Sequence, residues 1–190
     1  MHAIQVFGIG NVGSAIVNGL ILTRMGNLSM IYMTDIDYKR LSSEYLEFKS
    51  MLRIMDSHMQ VKMSSDVIHA RIYVICAGVN SKGFESRDEM LSKNKSIVEP
   101  ILHKIAEVNP RAIVLMVTNP SGELSKLAHD YVSHVIAIGN RLDNARYKDS
   151  HLYGKHENPV DFYKSIIDGK GFTSWGVSCE ALETISELER

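Results

Sequence analysis

The 190-residue sequence predicts an α/β fold, a doubly wound parallel sheet followed by a small, abbreviated and mostly helical C-terminal region. Three observations carry this. Short runs rich in Val and Ile recur along the chain, segments of helical spacing lie between them, and a glycine-rich turn separates the first run from the first helical segment. The apolar runs cover residues 3–7, 29–34, 71–77, 112–117 and 134–138, and are continuous enough for strands buried on both faces. Val12, Ile16 and Leu20 share one helical face, as do Leu41, Tyr45 and Phe48, and then Leu124, Leu127, Ala128 and Tyr131. Residues 87–108 form a long helical pattern with Pro100 inside it, where the missing N–H predicts a kink or break. Beyond Ile138 the alternation fades, and two further short helical patterns follow a loop around Gly154 and Pro159.

Composition narrows the function classes. The 21 basic and 22 acidic residues are dispersed and leave a formal charge of −1, so no basic stripe exists to bind nucleic acid or an anionic membrane. No apolar run approaches the ~20 residues of a membrane span, and no basic leader with an apolar core opens the chain. A cytoplasmic, soluble protein is expected. Cys76 and Cys179 lie far apart in sequence, without metal-ligand spacing, and are expected to be reduced thiols; no metal site is predicted.

The glycine turn is specific because of its setting. Gly8-Ile9-Gly10-Asn11-Val12-Gly13 matches G-x-G-x-x-G between an apolar strand and an amphipathic helix, the arrangement of a Rossmann dinucleotide site. Gly8 makes the tight turn, Gly10 leaves room for a pyrophosphate, and Gly13 lets the helix approach the strand with its N-terminus toward the phosphates. The second strand ends at Asp35, from which a carboxylate reaches the adenosine ribose hydroxyls and repels a 2′-phosphate. NAD is thus favoured over NADP, although Lys39 and Arg40 stand close by. The Rossmann domain is expected over residues 1–147 and a reduced second region over 148–190.

Four later motifs follow in a telling order: Ala77-Gly78-Val79, Glu85-Ser86-Arg87-Asp88, Val117-Thr118-Asn119-Pro120 and Gly139-Asn140-Arg141-Leu142-Asp143-Asn144-Ala145-Arg146. Taken singly, an Asn before Pro is usually a turn and an Arg at a helix start is usually solvated. Together, and with the glycine turn, the series resembles the lactate and malate dehydrogenase family over residues 1 to about 147. The resemblance implies that Ala77, Gly78 and Asn119 touch the cofactor, that Asn119 also touches substrate, and that Arg87, on a closing loop, polarises the substrate carbonyl. It implies further that Arg146 clamps the substrate carboxylate, a contact suited to a planar guanidinium. Asp143 then orients a catalytic histidine.

That histidine is His156, in Gly154-Lys155-His156-Glu157-Asn158, which resembles the family's Gly-Glu-His-Gly-Asp segment and implies a proton donor to the carbonyl oxygen. Lys170-Gly171-Phe172-Thr173-Ser174-Trp175 is similar to the family segment whose threonine lines the substrate pocket, which gives that place to Thr173. The pattern departs in its C-terminal part. Nine residues separate Arg146 from His156, the antiparallel sheet of the family's substrate domain is absent from the sequence pattern, and Glu157 sets a carboxylate beside His156.

The resemblance implies reversible, NAD-dependent interconversion of a small 2-hydroxy acid and its 2-keto acid. Ser81 falls where the family discriminates lactate from malate, and a serine decides neither; Lys82 beside it leans slightly toward malate. The alternative is a relative that binds NAD without catalysis, acting as a sensing or interaction module. On resemblance alone, a homodimer or higher homo-oligomer is expected, with the apolar positions between Leu41 and Leu52 as a candidate face.

Overall fold

A computed structural model describes residues 2–25, 28–79, 86–150 and 159–190. Six strands alternate with helices in the order β1 (His2–Phe7), α1 (Asn11–Thr23), β2 (Leu28–Thr34), α2 (Tyr38–Ile54), β3 (Gln60–Met63), β4 (Ile72–Ile75), α3 (Arg87–Val108), β5 (Ile113–Met116), α4 (Ser121–Ala128) and β6 (His134–Ala137). Three helices complete the chain: α5 (Asn140–Ser150), α6 (Pro159–Lys170) and α7 (Trp175–Leu188). The strands form one sheet in the order β3-β2-β1-β4-β5-β6, with every neighbouring pair parallel. This is the doubly wound Rossmann order, in which the chain reverses direction across the sheet between β1 and β4.

The two-residue period of the strands divides the core. Ile4, Val6, Ile72, Val74 and Leu115 face one layer with Ile16 and Leu20 of α1 and Leu41, Phe48 and Leu52 of α2. Phe7, Tyr73, Ile75, Val114 and Met116 face the other with Val98 and Leu102 of α3 and Leu124 of α4. The first layer also contains Ala181 and Ile185 of α7, both fully buried. That helix lies so close to α1 that a methyl group on Gly19 would collide with Leu182.

Three sequence expectations need correction. β3 was not anticipated, because Gln60-Val61-Lys62-Met63 buries only Val61 and, at the sheet edge against β2, needs no continuous apolar run. Pro100 does not break α3, which continues from Arg87 to Val108. A capping box between Ser86 and Glu89 starts this helix, and its apolar stripe Val98, Leu102 and Ile105 is anchored in the core on both sides of the proline. Finally, of the apolar positions between Leu41 and Leu52 offered for self-association, Leu41, Phe48 and Leu52 are each under 7% exposed in the chain's own core, while Leu46 is 65% exposed. Among the described residues no helix is long and apolar enough to cross a membrane, no cluster fit to hold a metal ion is present, and both cysteines are free thiols.

Candidate functional site

The C-terminal ends of β1 and β4 define the crevice where a doubly wound sheet receives its ligand. Gly8 follows β1 with φ +86°, a conformation unfavourable to any residue with a Cβ, and its N–H donates to the Thr34 carbonyl at 2.8 Å. A methyl group on Gly8 would lie 2.5 Å from the Ala77 nitrogen, so the β1 and β4 turns are in backbone contact. A methyl group on Gly13 would overlap the Gly8 carbonyl oxygen, which fixes how closely α1 approaches the turn. Gly10, by contrast, faces open space. Its position before Asn11, at the N-terminus of α1, leaves unobstructed backbone beside a helix end that favours anions.

Asp35 closes the other end of this crevice. Its carboxylate accepts from the Ile9 N–H at 2.5 Å and the Asp37 N–H at 2.8 Å, which ties the end of β2 to the glycine turn. Arg40, on the first turn of α2, donates to the Asn11 side chain at 2.9 Å and lies 3.9 Å from Glu44. Burial raises the Glu44 carboxyl above its ordinary range, against the opposing pull of Arg40. An open glycine turn at a helix N-terminus, with a carboxylate 22 residues after Gly13 by sequence, fits the pyrophosphate and ribose of a dinucleotide.

The turns after β4 and β5 are joined by a residue the sequence reading overlooked. Asn94 of α3 is 1% exposed; its amide oxygen accepts from the Val79 N–H at 2.8 Å and its amide nitrogen donates to the Asn119 carbonyl at 2.6 Å. Thr118 adds a hydroxyl bond to the Ala77 carbonyl at 2.8 Å. Gly78 is walled in by these two, since a methyl group there would lie 2.6 Å from Thr118 and 2.9 Å from Asn94. The Asn119 side chain is left exposed at the mouth of the crevice. A signal for Asn94 existed: it is the polar member of the otherwise apolar stripe Asn94, Val98, Leu102 and Ile105.

A second group of residues gathers where α5, α6 and the start of α7 meet. The Arg146 side chain is only 9% exposed; it donates to the Thr173 hydroxyl at 3.2 Å, lies 3.6 Å from the Asp143 carboxylate one turn earlier, and packs 5.5 Å from the Tyr163 ring centre. Arg146 and Thr173 also line a cavity of about 280 Å³ with Leu142, Ile166, Lys170 and Trp175. Lys170 lies 4.6 Å from the ring centres of both Phe172 and Trp175. Tyr163 and Lys170 were not singled out by sequence, where an aromatic and a lysine on a helix have no distinguishing pattern.

Arg87, the cation expected on a closing loop, pairs with another side chain of the protein. It begins α3 with its side chain 72% exposed, and its guanidinium pairs with the Glu123 carboxylate of α4 at 2.9 Å. That hydrogen bond raises the Arg87 pKa and lowers that of Glu123. Ser81 and His156 lie outside the described residues, so the structure groups Arg146, Asp143 and Thr173 without locating either of them.

Comparison with known proteins agrees with this geometry. Residues 2–136 match the family model described as lactate/malate dehydrogenase, NAD binding domain. The chain is 28% identical to a probable malate dehydrogenase of Campylobacter jejuni, covering 88% of this chain and 62% of that protein. It is 29% identical to an L-lactate dehydrogenase of Pseudothermotoga lettingae, covering 88% of this chain and 55% of the relative. The chain therefore spans little more than half the length of these relatives. In fold, it superposes on malate dehydrogenase from Archaeoglobus fulgidus in complex with NADH with a TM-score of 0.84 at 20% identity, over 96% of this chain and 76% of that one. On the minor L-lactate dehydrogenase from Enterococcus mundtii the TM-score is 0.81 at 18% identity, over the whole of this chain and 78% of that one. The glycine turn, the order of the sheet and the family match agree, and the chain belongs to the lactate/malate dehydrogenase family, whose NAD binding domain it carries.

Proposed function

We propose that this protein is an NAD-dependent oxidoreductase that interconverts a small 2-hydroxy acid and its 2-keto acid, of malate or lactate type. The observation that carries the reading is the buried Arg146, bonded to Thr173 and flanked by Asp143 directly after the NAD binding domain. A guanidinium held in this way keeps its fork in a fixed orientation for a carboxylate, at little further entropic cost on binding. Residues 1–147 form the cofactor domain in this reading, and residues 148–190 supply the rest of the substrate site. With it go, also as proposals, a cytoplasmic setting and self-association into a homodimer or higher oligomer.

When bound, the nicotinamide supplies the hydride that reduces the keto carbon. The protein residues do the remaining work. Gly8, Gly10 and Gly13, with Asn11 and Val12 on the first turn of α1, receive the pyrophosphate, and Asp35 receives the adenosine ribose. Ala77 and Gly78 line the cofactor beyond the phosphates, and Asn119 stands between cofactor and substrate. Arg146 clamps the substrate carboxylate, Thr173 borders it, and Ser81 approaches the substituent that distinguishes one keto acid from another. Arg87 leaves Glu123 to stabilise negative charge developing on the carbonyl oxygen. His156 gives its ring-nitrogen proton to that oxygen, and Asp143 stabilises the protonated imidazole beforehand. In the oxidative direction the same nitrogen accepts the proton.

The test mixes the 190-residue protein with NADH and either oxaloacetate or pyruvate and follows nicotinamide absorbance. Turnover that is lost in Arg146→Ala, with NADH binding retained, supports the reading. Tight NADH binding without consumption of either keto acid replaces it with a binding module.

A further inference from the structure

We propose that Glu180 is a positioning residue that fixes α5, and with it Arg146, against the NAD binding domain. It rests on the reading of Arg146 as the carboxylate clamp. Glu180 is a carboxylate on α7, 7% exposed, in a helix whose next residue, Ala181, is fully buried beneath the sheet. Its two oxygens reach the N-terminus of α5: one accepts from the Gly139 N–H at 2.8 Å and the other from the Leu142 N–H at 2.9 Å. Both donors belong to the group that an α-helix leaves unsatisfied at its start, and a negative charge at this end interacts favourably with the helix dipole.

The geometry makes this contact more than an ordinary cap. A usual N-cap comes from the residue preceding the helix and leaves the helix free to move as a body. Glu180 comes from 38 residues away and sits on an element rooted in the core by Ala181 and Ile185. Its bidentate contact therefore fixes the origin of α5 relative to the sheet, and Arg146 projects from that helix one turn beyond Leu142. Two neighbouring contacts define the same docking. A methyl group on Gly176 of α7 would lie 2.5 Å from the Leu142 side chain, and Arg141 of α5 pairs with Glu187 of α7 at 2.8 Å. The Arg141–Glu187 pair is about half exposed and so is a weak tie, whereas the buried Glu180 carboxylate cannot exchange its partners for water. Clamp geometry is sensitive to displacements of about an ångström, so the origin of α5 sets the affinity for the keto acid.

The test compares wild type with Glu180→Gln, which keeps shape but presents an N–H to one of the two amide donors, and with Glu180→Asp, which keeps charge but falls short. Two quantities are read: deuterium exchange of the peptide spanning residues 139–147, and the separate KM for oxaloacetate or pyruvate and Kd for NADH. Glu180→Gln is expected to speed exchange in that peptide by about tenfold and to raise the keto-acid KM by about tenfold, with the NADH Kd within about twofold of wild type. Glu180→Asp falls between, and Glu187→Gln, which removes only the exposed tie, stays within about twofold of wild type on every reading. Unchanged exchange in Glu180→Gln overturns the proposal, as does a parallel loss of NADH and keto-acid binding, which marks a residue needed only for stability. Failure of both Glu180 variants to fold overturns it in the same way. Absence of turnover in wild type rejects the dehydrogenase reading instead, and exchange alone then decides whether Glu180 holds α5.

Discussion

Gly13 and Arg146 mark the two ends of the proposed site and respond to substitution in different ways. Gly13→Ala drives a methyl group into the Gly8 carbonyl oxygen, a backbone atom that no rotamer change can move away. We expect a loss of about 2 kcal/mol or more in stability and failure to retain NADH at concentrations that saturate wild type, measured by denaturant unfolding and by fluorescence titration. Arg146→Lys keeps the charge and removes the fork. Its keto-acid KM is expected to rise about tenfold or more while the NADH Kd stays unchanged, because a lysine cannot hold a carboxylate through two parallel bonds. At Asp35, replacement by Ser removes a carboxylate that now accepts from the Ile9 and Asp37 amides. The expected result is weaker NADH binding together with a smaller preference for NADH over NADPH, and titration of both cofactors checks it. Of these three residues, Gly13 and Asp35 were legible in the sequence from their spacing together with the strand and helix around them. Arg146 needed the order of the motifs around it, since a single arginine on a helix has no local signature.

At the scale of elements, α3 illustrates what pattern conveys and what it conceals. Its span over residues 87–108 was visible in the helical pattern, whereas Pro100 suggested an interruption that the packed stripe on either side overrides. Because the helix continues through Pro100, whose ring removes one backbone donor, Pro100→Ala is expected to raise Tm by a few degrees, read by thermal unfolding. Asn94 on the same helix links the Val79 and Asn119 turns. Asn94→Leu takes the amide partner away from both of those backbone groups, and should destabilise the fold by about 1 kcal/mol and weaken NADH binding. β3 escaped notice for the opposite reason: Val61 alone is buried, so an edge strand of four residues carries too little apolar pattern to stand out from a loop. The strands β1, β4 and β5 were readable because each contributes to both layers of the core, and β2 because it buries Leu28, Ile31 and Met33 in one of them.

For the molecule as a whole, the C-terminal region is not an appendage. Ala181 and Ile185 of α7 belong to the same cluster as Ile4, Val6 and Ile16, and Glu189 just beyond the helix pairs with Arg71 at 2.6 Å. Ile185→Ala is expected to cost about 3 kcal/mol and to lower Tm by roughly 10 °C, an effect on the entire Rossmann layer. The sequence pointed to two helical patterns here, but helical spacing alone does not say which layer a helix joins; contact between Gly19 and Leu182 decides that. The same organisation puts Arg146 on a helix whose start is held by Glu180 of α7. The most direct test of this account is steady-state oxidation of NADH by wild type and by Arg146→Ala in the presence of oxaloacetate or pyruvate. Wild type is expected to turn over, and kcat/KM to fall at least about a hundredfold in the variant, with NADH affinity intact. An unchanged kcat/KM in Arg146→Ala, or no turnover by a wild-type protein that binds NADH, would contradict it.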